Sequence, residues 1–230
     1  MQAVILAAGR GTRMGALTEK MPKPMLVVAG KTLLEHKFDI LPNDVDEIIL
    51  VVGYKGEVIQ NKFGTHYQGK KLSYVVQHSL DGTAGALWRV RPLLKNRFLV
   101  MMGDDIYSKI DIENCCKEEW ALLVDRVHGK RSSGLVEFGV GNVITSVVEG
   151  EHDAEDWWSG TNMFVLDTRI FSCDPVPKSP DSDEFGLPQT VLAASRAQGT
   201  PLIAVKASSW IQITSPEDIT LAEELLGKII

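Results

Sequence analysis

The chain lacks any run of apolar residues near the ~20 that a membrane-crossing helix needs, and its first residues lack a basic segment followed by a cleavable apolar stretch. No membrane partner is expected, and the cytoplasm is the expected compartment. Cysteine is scarce as well. Cys115, Cys116 and Cys173 make an odd count without C-x-x-C spacing, which suggests neither a disulfide framework nor a zinc site and fits inert thiols in a reducing compartment. Basic residues are in deficit: 24 Lys and Arg face 30 Asp and Glu, a net charge of −6. Such a chain has no surplus of cations to neutralise the many phosphates of a nucleic acid, so no nucleic-acid partner is expected. The five histidines are scattered without ligand spacing, and no internal repeat is visible. With 230 residues, 44% of them hydrophobic, the chain can bury a sizeable core, and residues 1–230 are read as one domain.

What is present gathers at the beginning. Ala3-Val4-Ile5-Leu6 is short and apolar enough for a buried strand, and it runs into Ala7-Ala8-Gly9-Arg10-Gly11-Thr12-Arg13-Met14, with Lys23-Pro24 close behind. A strand ending in a glycine loop is how α/β proteins let backbone approach a phosphate. Gly9 and Gly11 carry no side chain to block an anion, so successive N–H groups can turn inward, and Arg13 and Lys23 add the full charges that backbone dipoles cannot supply. Two familiar glycine motifs do not fit. A dinucleotide fingerprint needs glycine where Met14 stands, which sets aside a nucleotide-cofactor oxidoreductase. A P-loop ahead of Gly30-Lys31-Thr32 needs glycine where Met25 stands, so that triplet reads as a turn and helix start.

Beyond the loop, apolar runs and helical periods alternate. Lys31 to Leu41 reads as a helix, Glu47 to Gly53 as a buried strand, Leu72 to Gln77 as a strand, Thr83 to Leu94 as a helix and Phe98 to Met102 as a fourth strand. This rhythm predicts an α/β fold with a mainly parallel sheet covered on both faces, and such a sheet binds ligands beyond the carboxyl ends of its strands. Those ends are the glycine loop, Gln77 before Asp81-Gly82-Thr83-Ala84, and Gly103-Asp104-Asp105. After Trp120 to Val124 the pattern changes: Leu135 to Phe138 and Val143 to Val148 flank Gly139-Val140-Gly141-Asn142, a hairpin signal that adds antiparallel strands. His152 to Trp158 is acidic with two tryptophans and reads as a solvated loop anchored by its aromatics or as a sugar platform. Ser159 to Leu166 returns as a strand, Asp174 to Asp183 is an irregular loop, and Leu187 onward starts a helix. Leu202 to Val205 is a last strand, and Ser215-Pro216-Glu217-Asp218 opens a terminal helix with a cap, a first-turn proline and two acids.

The string from Leu6 to Met14 with Lys23-Pro24-Met25 resembles the signature of sugar-1-phosphate nucleotidyltransferases, which join a nucleoside triphosphate and a sugar-1-phosphate into a nucleotide sugar and pyrophosphate. The resemblance implies a Rossmann-like, mainly parallel sheet with an antiparallel sugar-binding addition. It assigns the nucleotide to Leu6, Ala8, Gly9, Gly11, Thr12, Gln77, Gly82 and Thr83, and charge stabilisation on the reacting phosphates to Arg13 and Lys23. It places the sugar phosphate at Gly134, Glu149 and Asn162, and Mg²⁺ on Asp104, with Asp105 as a turn residue or cap. Many relatives self-associate, which makes a homo-oligomer part of the expectation. With no hexapeptide array in these 230 residues, a catalytic domain alone is the expectation.

Two positions depart from the family pattern. Where many members read Glu-Lys-Pro, this chain has Glu149-Gly150-Glu151, so the lysine for the sugar phosphate is missing. Where many read Trp-x-Asp-Ile-Gly, it has Trp210-Ile211-Gln212-Ile213-Thr214, putting an amide in place of the second carboxylate for Mg²⁺. Magnesium accepts neutral carbonyl oxygens, so Gln212 is expected to reach the ion directly or through a retained water. The expected reaction is nucleotidyl transfer from UTP or dTTP. The alternatives are guanylyl transfer to mannose- or heptose-1-phosphate, or a non-catalytic sensor of nucleotide sugars.

Overall fold

The computed structural model describes residues 1–227. Its elements run β1 (Gln2–Ala7), β2 (Val27–Val28), β3 (Lys31–Thr32), α1 (Leu33–Ile40), β4 (Glu47–Val52), α2 (Gly56–Phe63), β5 (His66–Tyr67), β6 (Lys70–Val76), α3 (Gly82–Val90) and β7 (Arg97–Met102). They continue with β8 (Asp105–Tyr107), α4 (Lys109–Cys115), β9 (Trp120–Phe138), β10 (Ile144–Asp167), α5 (Leu187–Gln198), β11 (Leu202–Lys206), β12 (Trp210–Gln212) and α6 (Pro216–Gly227).

Eight strands form one sheet in the order β11-β9-β10-β7-β1-β4-β6-β5. The pairs β7–β1, β1–β4, β4–β6 and β11–β9 are parallel, while β10 runs antiparallel to β7 and β9. Alternation along the strands sorts their side chains to two cores. Val4, Leu6, Ile49 and Val51 face α3 and α5, and Ala3, Ile5, Ile48 and Leu50 face α1, α2 and α4. A strand buried on both faces reads as an unbroken apolar run, which is why β1, β4 and β7 were visible in the sequence. A third, smaller core of Met14, Leu26, Val28, Leu33, Ile106, Ile211, Ile213 and Ala222 ties the first loop to β8, β12 and α6.

The helix expected at Lys31 begins at Leu33 instead, because Thr32 is its cap: the Thr32 hydroxyl accepts from the Glu35 N–H, and the Glu35 carboxylate accepts from the Thr32 N–H at 2.7 Å. Gly30 is thus a turn residue, as expected, while Lys31–Thr32 form the short strand β3 that ends in the helix cap. The larger difference is at His152 to Trp158. This segment is part of β10 and not a loop, paired with β9 through His152↔Arg131, Asp153↔Lys130 and Trp157↔Val127. Most of its side chains are exposed, so its strand character comes from cross-strand hydrogen bonds and leaves no apolar alternation in the sequence. The hairpin bends at Gly129, whose φ is +68°, and the buried Trp157 pins the bend by donating its indole N–H to the Gly129 carbonyl at 3.0 Å. Trp158 packs on Phe138 with ring centres 5.7 Å apart. Neither tryptophan lines a cavity of the cleft, so neither is a sugar platform there. No described helix is long and apolar enough to cross a membrane.

Candidate active site

The carboxyl ends of β1, β6 and β7 open on one cleft with two adjoining cavities. The first, about 240 Å³, is lined by Gly9, Gly11, Thr12, Arg13, Lys23 and Asp104. The second, about 300 Å³, takes Ala8, Gln77, Gly82, Thr83, Glu149 and Asn162. Leu6, Gly9 and Met102 belong to both walls, so the two cavities are halves of one site.

The glycine loop turns sharply at Gly11, where φ is +63° and a Cβ would stand 2.9 Å from the Lys23 Cβ. Any other residue there would be strained and would push Lys23 away. The Gly11 carbonyl accepts from the Met14 N–H at 3.0 Å and from the Thr18 hydroxyl at 3.1 Å, which fixes the turn. Lys23 is 6% exposed, and its Nζ lies 2.6 Å from Asp104 Oδ2. The cation assigned to the phosphates and the carboxylate assigned to the metal thus form an ion pair at the cavity wall. Two opposite charges so placed hold each other in position until an anion and a cation arrive together. Arg13 makes no ion pair among the described residues and stays exposed beside them.

Asp105 is neither turn residue nor cap. It is 3% exposed, and its Oδ2 accepts from the Trp210 indole N–H at 3.1 Å and the Tyr107 hydroxyl at 3.3 Å. The fully buried Lys37 reaches across from α1 and donates to the Asp105 backbone carbonyl and to the Leu33 carbonyl. Burial pushes the Asp105 carboxyl up and the Lys37 ammonium down, and the charge of each pulls the other back. The bond from Lys37 to the Asp105 carbonyl ties α1 to the start of β8, next to Asp104.

In the second cavity the Gln77 amide is oriented. Its Nε2 donates to Asp81 Oδ1 at 2.9 Å and to the Gly82 carbonyl at 3.3 Å. Burial raises the Asp81 pKa, but hydrogen bonds from Arg89 and Gln77 more than offset it and keep the carboxylate below its ordinary value. With both amide hydrogens engaged, Gln77 offers its carbonyl oxygen as an acceptor. Gly82 has φ +92°, and a Cβ there would collide with the Phe185 backbone. Thr83 Oγ1 accepts from the Leu187 N–H at 3.0 Å, tying the start of α3 to the start of α5.

Gly134 and Glu149 face each other across β9 and β10, and a Cβ on Gly134 would stand 3.0 Å from Glu149 Oε1. Burial raises the Glu149 carboxyl pKa, with Lys178 pulling the other way. Asn162 holds a left-handed φ of +57°, a conformation asparagine tolerates and one concentrated at functional sites.

Gln212 pairs with Asp105 across β12 and β8, one residue from Asp104, but its side chain does not line the first cavity. It lies on an adjoining opening, and its Oε1 accepts from Arg131 Nη2 at 2.7 Å, because the β9 bend carries Arg131 over β12. Asp104 is therefore the one carboxylate facing the first cavity, and no cluster of three His, Cys, Asp or Glu exists among the described residues. Sequence reasoning missed Lys178, the one cation lining the second cavity among the described residues, and Phe185, both from the irregular loop before α5. It also missed Arg131 and Lys37. None of the four sits in a local pattern that marks it.

A family model for nucleotidyl transferases matches residues 2–186. The chain is 30% identical to the UTP–glucose-1-phosphate uridylyltransferase AglF of Haloferax volcanii, over 98% of this chain and 96% of that one. It is also 30% identical to the bifunctional protein GlmU of Methanocaldococcus jannaschii over its whole length, where it spans 55% of that relative. A D-glycero-α-D-manno-heptose 1-phosphate guanylyltransferase of Aneurinibacillus thermoaerophilus is 25% identical over the full length of both. Among solved structures, a Bacillus anthracis protein assigned as a glucose-1-phosphate thymidylyltransferase superposes with a TM-score of 0.81 at 22% identity, covering 98% of this chain and 94% of that one. At that identity the likeness shows the fold alone, and it agrees with the α/β architecture expected from the sequence.

Proposed function

The chain belongs to the nucleotidyl transferase family, and on that premise we propose that it transfers a nucleotidyl group from a pyrimidine nucleoside triphosphate, UTP or dTTP, to a sugar-1-phosphate. The observation that carries this reading is the pair of cavities sharing Leu6, Gly9 and Met102. A triphosphate on the glycine loop, its base reaching Gln77 in the second cavity, and a sugar phosphate beside Glu149 and Asn162 would meet at that shared wall.

A sugar-phosphate oxygen attacks the α-phosphorus; the new P–O bond forms as the bond to the β-phosphate oxygen breaks, and pyrophosphate leaves with the electron pair. Both reactants are anions, and phosphoryl-type transfers of this kind rest on positioning and charge neutralisation more than on a general base. Lys23, buried and aimed into the cavity, is placed for the α-phosphate, and Arg13 for the phosphates beyond it. Asp104, a hard oxygen donor beside Lys23, fits a magnesium ion that completes its shell with water and phosphate oxygens. Such an ion, when bound with the triphosphate, would neutralise phosphate charge there. The Gln77 carbonyl oxygen suits the imide N–H of uracil or thymine, and Lys178 is the cation available to the sugar phosphate in place of the absent lysine.

The test is pyrophosphate release over a panel of nucleoside triphosphates and hexose-1-phosphates with Mg²⁺. The expected result is release only when both substrates are present, fastest with UTP or dTTP. A preference for GTP would move the assignment to guanylyl transfer, and binding of both substrates without release would favour a sensor.

A further inference from the structure

The opening beside the first cavity is lined by Arg13, Arg131, Gln212, Thr214, Ser215 and Asp218 and has a volume of about 340 Å³. Two guanidinium groups converge there, and neither forms an ion pair among the described residues. Asp218 is already engaged, its Oδ2 accepting from the Thr214 and Ser215 N–H groups at 2.7 Å each. Asp125, a half-buried carboxyl, lies within the field of Arg131 without pairing with it.

Arg131 is held on two sides. Its Nη2 donates to Gln212 Oε1 at 2.7 Å, and its guanidinium carbon stands 5.1 Å from the centre of the Trp210 ring. Both holders are neutral. A carboxylate at position 212 would orient Arg131 equally well but would cancel its charge in an ion pair; the amide orients it and leaves the charge available. Arg13 lines both this opening and the glycine-loop cavity, so an anion long enough to pass Arg13 from the loop reaches Arg131.

We propose that Arg131, held by Gln212 and Trp210, binds the terminal phosphates of the nucleoside triphosphate and receives the pyrophosphate that leaves, and that Gln212 serves as the support of this arginine. The inference rests on the transfer reading for the identity of the anion. Two guanidiniums on one polyphosphate suit a leaving group whose charge rises as the bond to the α-phosphate breaks.

The experiment titrates inorganic pyrophosphate, and separately the nucleoside monophosphate, into the free protein by calorimetry with and without Mg²⁺. Wild type, Arg131→Ala, Arg131→Lys, Gln212→Ala and Gln212→Glu are compared. The expected result is about a tenfold or larger loss of pyrophosphate affinity in Arg131→Ala, a smaller loss in Arg131→Lys, and unchanged monophosphate affinity in both. Gln212→Glu, which neutralises Arg131, is expected to lose pyrophosphate affinity by a similar factor. Gln212→Ala, which only loosens it, is expected to lose less. Unchanged pyrophosphate affinity in Arg131→Ala, equal loss of monophosphate binding, or tighter Mg²⁺-dependent pyrophosphate binding in Gln212→Glu would each overturn the inference. If wild type releases pyrophosphate in the two-substrate assay while Arg131→Ala binds it normally, this assignment alone falls. If wild type releases none, the transfer reading falls.

Discussion

At the carboxyl ends of β1 and β7, the groups that face the cleft come from one loop and one strand end: Gly11 is left-handed, Thr18 closes the turn, and Lys23 follows within the same loop to meet Asp104 beyond the end of β7. Across the cleft the walls are assembled from distant segments. Glu149 comes from the folded-back part of the β9–β10 hairpin, Asn162 from a later irregularity of β10, and Lys178 from the loop before α5. The first region is built once, on the most buried strands of the molecule. The second is built on exposed strand and loop. Physically, a rigid phosphate cradle backed by two cores suits the chemistry common to all substrates of such an enzyme, and an adaptable wall suits the part that differs between sugars.

The sharpest way to break this comparison is to remove charge from the first region. Lys23→Ala and Arg13→Ala should each lower turnover by about two to three orders of magnitude, as expected for a preorganised charge at the reacting phosphates, while thermal unfolding shows the fold intact. Steady-state pyrophosphate release reads the first and calorimetric scanning the second; turnover within tenfold of wild type in both variants would place the chemistry elsewhere. Next in size is the buried Lys37–Asp105 pair beside it. Lys37→Met leaves Asp105 buried without its compensating charge, so denaturant unfolding should show a loss of about 3–5 kcal/mol, and Asp105→Asn added to it should recover part of the loss. An unchanged stability in the single variant would mean that the two groups do not compensate each other.

Smaller effects belong to the second region. Lys178→Ala should raise KM for the sugar phosphate about tenfold, a loss of about 1.4 kcal/mol, with little change in KM for the triphosphate; equal shifts in both would remove the distinction between the two walls. The smallest is a pH effect. Burial raises the Glu149 pKa in the folded protein, so the folded state binds more protons than the unfolded state and stability falls as pH rises above the ordinary glutamate range of about 4.3. Glu149→Gln should flatten that decline in urea unfolding midpoints, and an identical pH dependence in the two proteins would show that the carboxyl is no harder to ionise than when unfolded.

The same contrast decides what could be read from the sequence. β1, β4 and β7 were legible because burial on two faces leaves unbroken apolar runs, and α1 because its start leaves a capping residue. Asp104 was legible because it follows Gly103 beyond the end of β7, and Lys23 because Lys-Pro-Met after the glycine loop carries the family resemblance. The 152–158 segment was not, because its strand character comes from backbone pairing and leaves no alternation for a sequence to show. Arg131, Lys178 and Lys37 reach the site across intervals that only the folded sheet closes. Asp105, adjacent to a visible motif, was misread because nothing local signals that Lys37, Tyr107 and Trp210 surround it.

Both regions must be filled together if transfer is direct, since no side chain of the chain is asked to carry the nucleotidyl group between them. Exchange of labelled inorganic pyrophosphate into the nucleoside triphosphate measures this. Direct transfer predicts no exchange with the triphosphate alone and rapid exchange once the sugar-1-phosphate and its nucleotide-sugar product are present. Exchange at a comparable rate with no sugar phosphate in the mixture would reveal a covalent nucleotidyl-enzyme and contradict the single-cleft account.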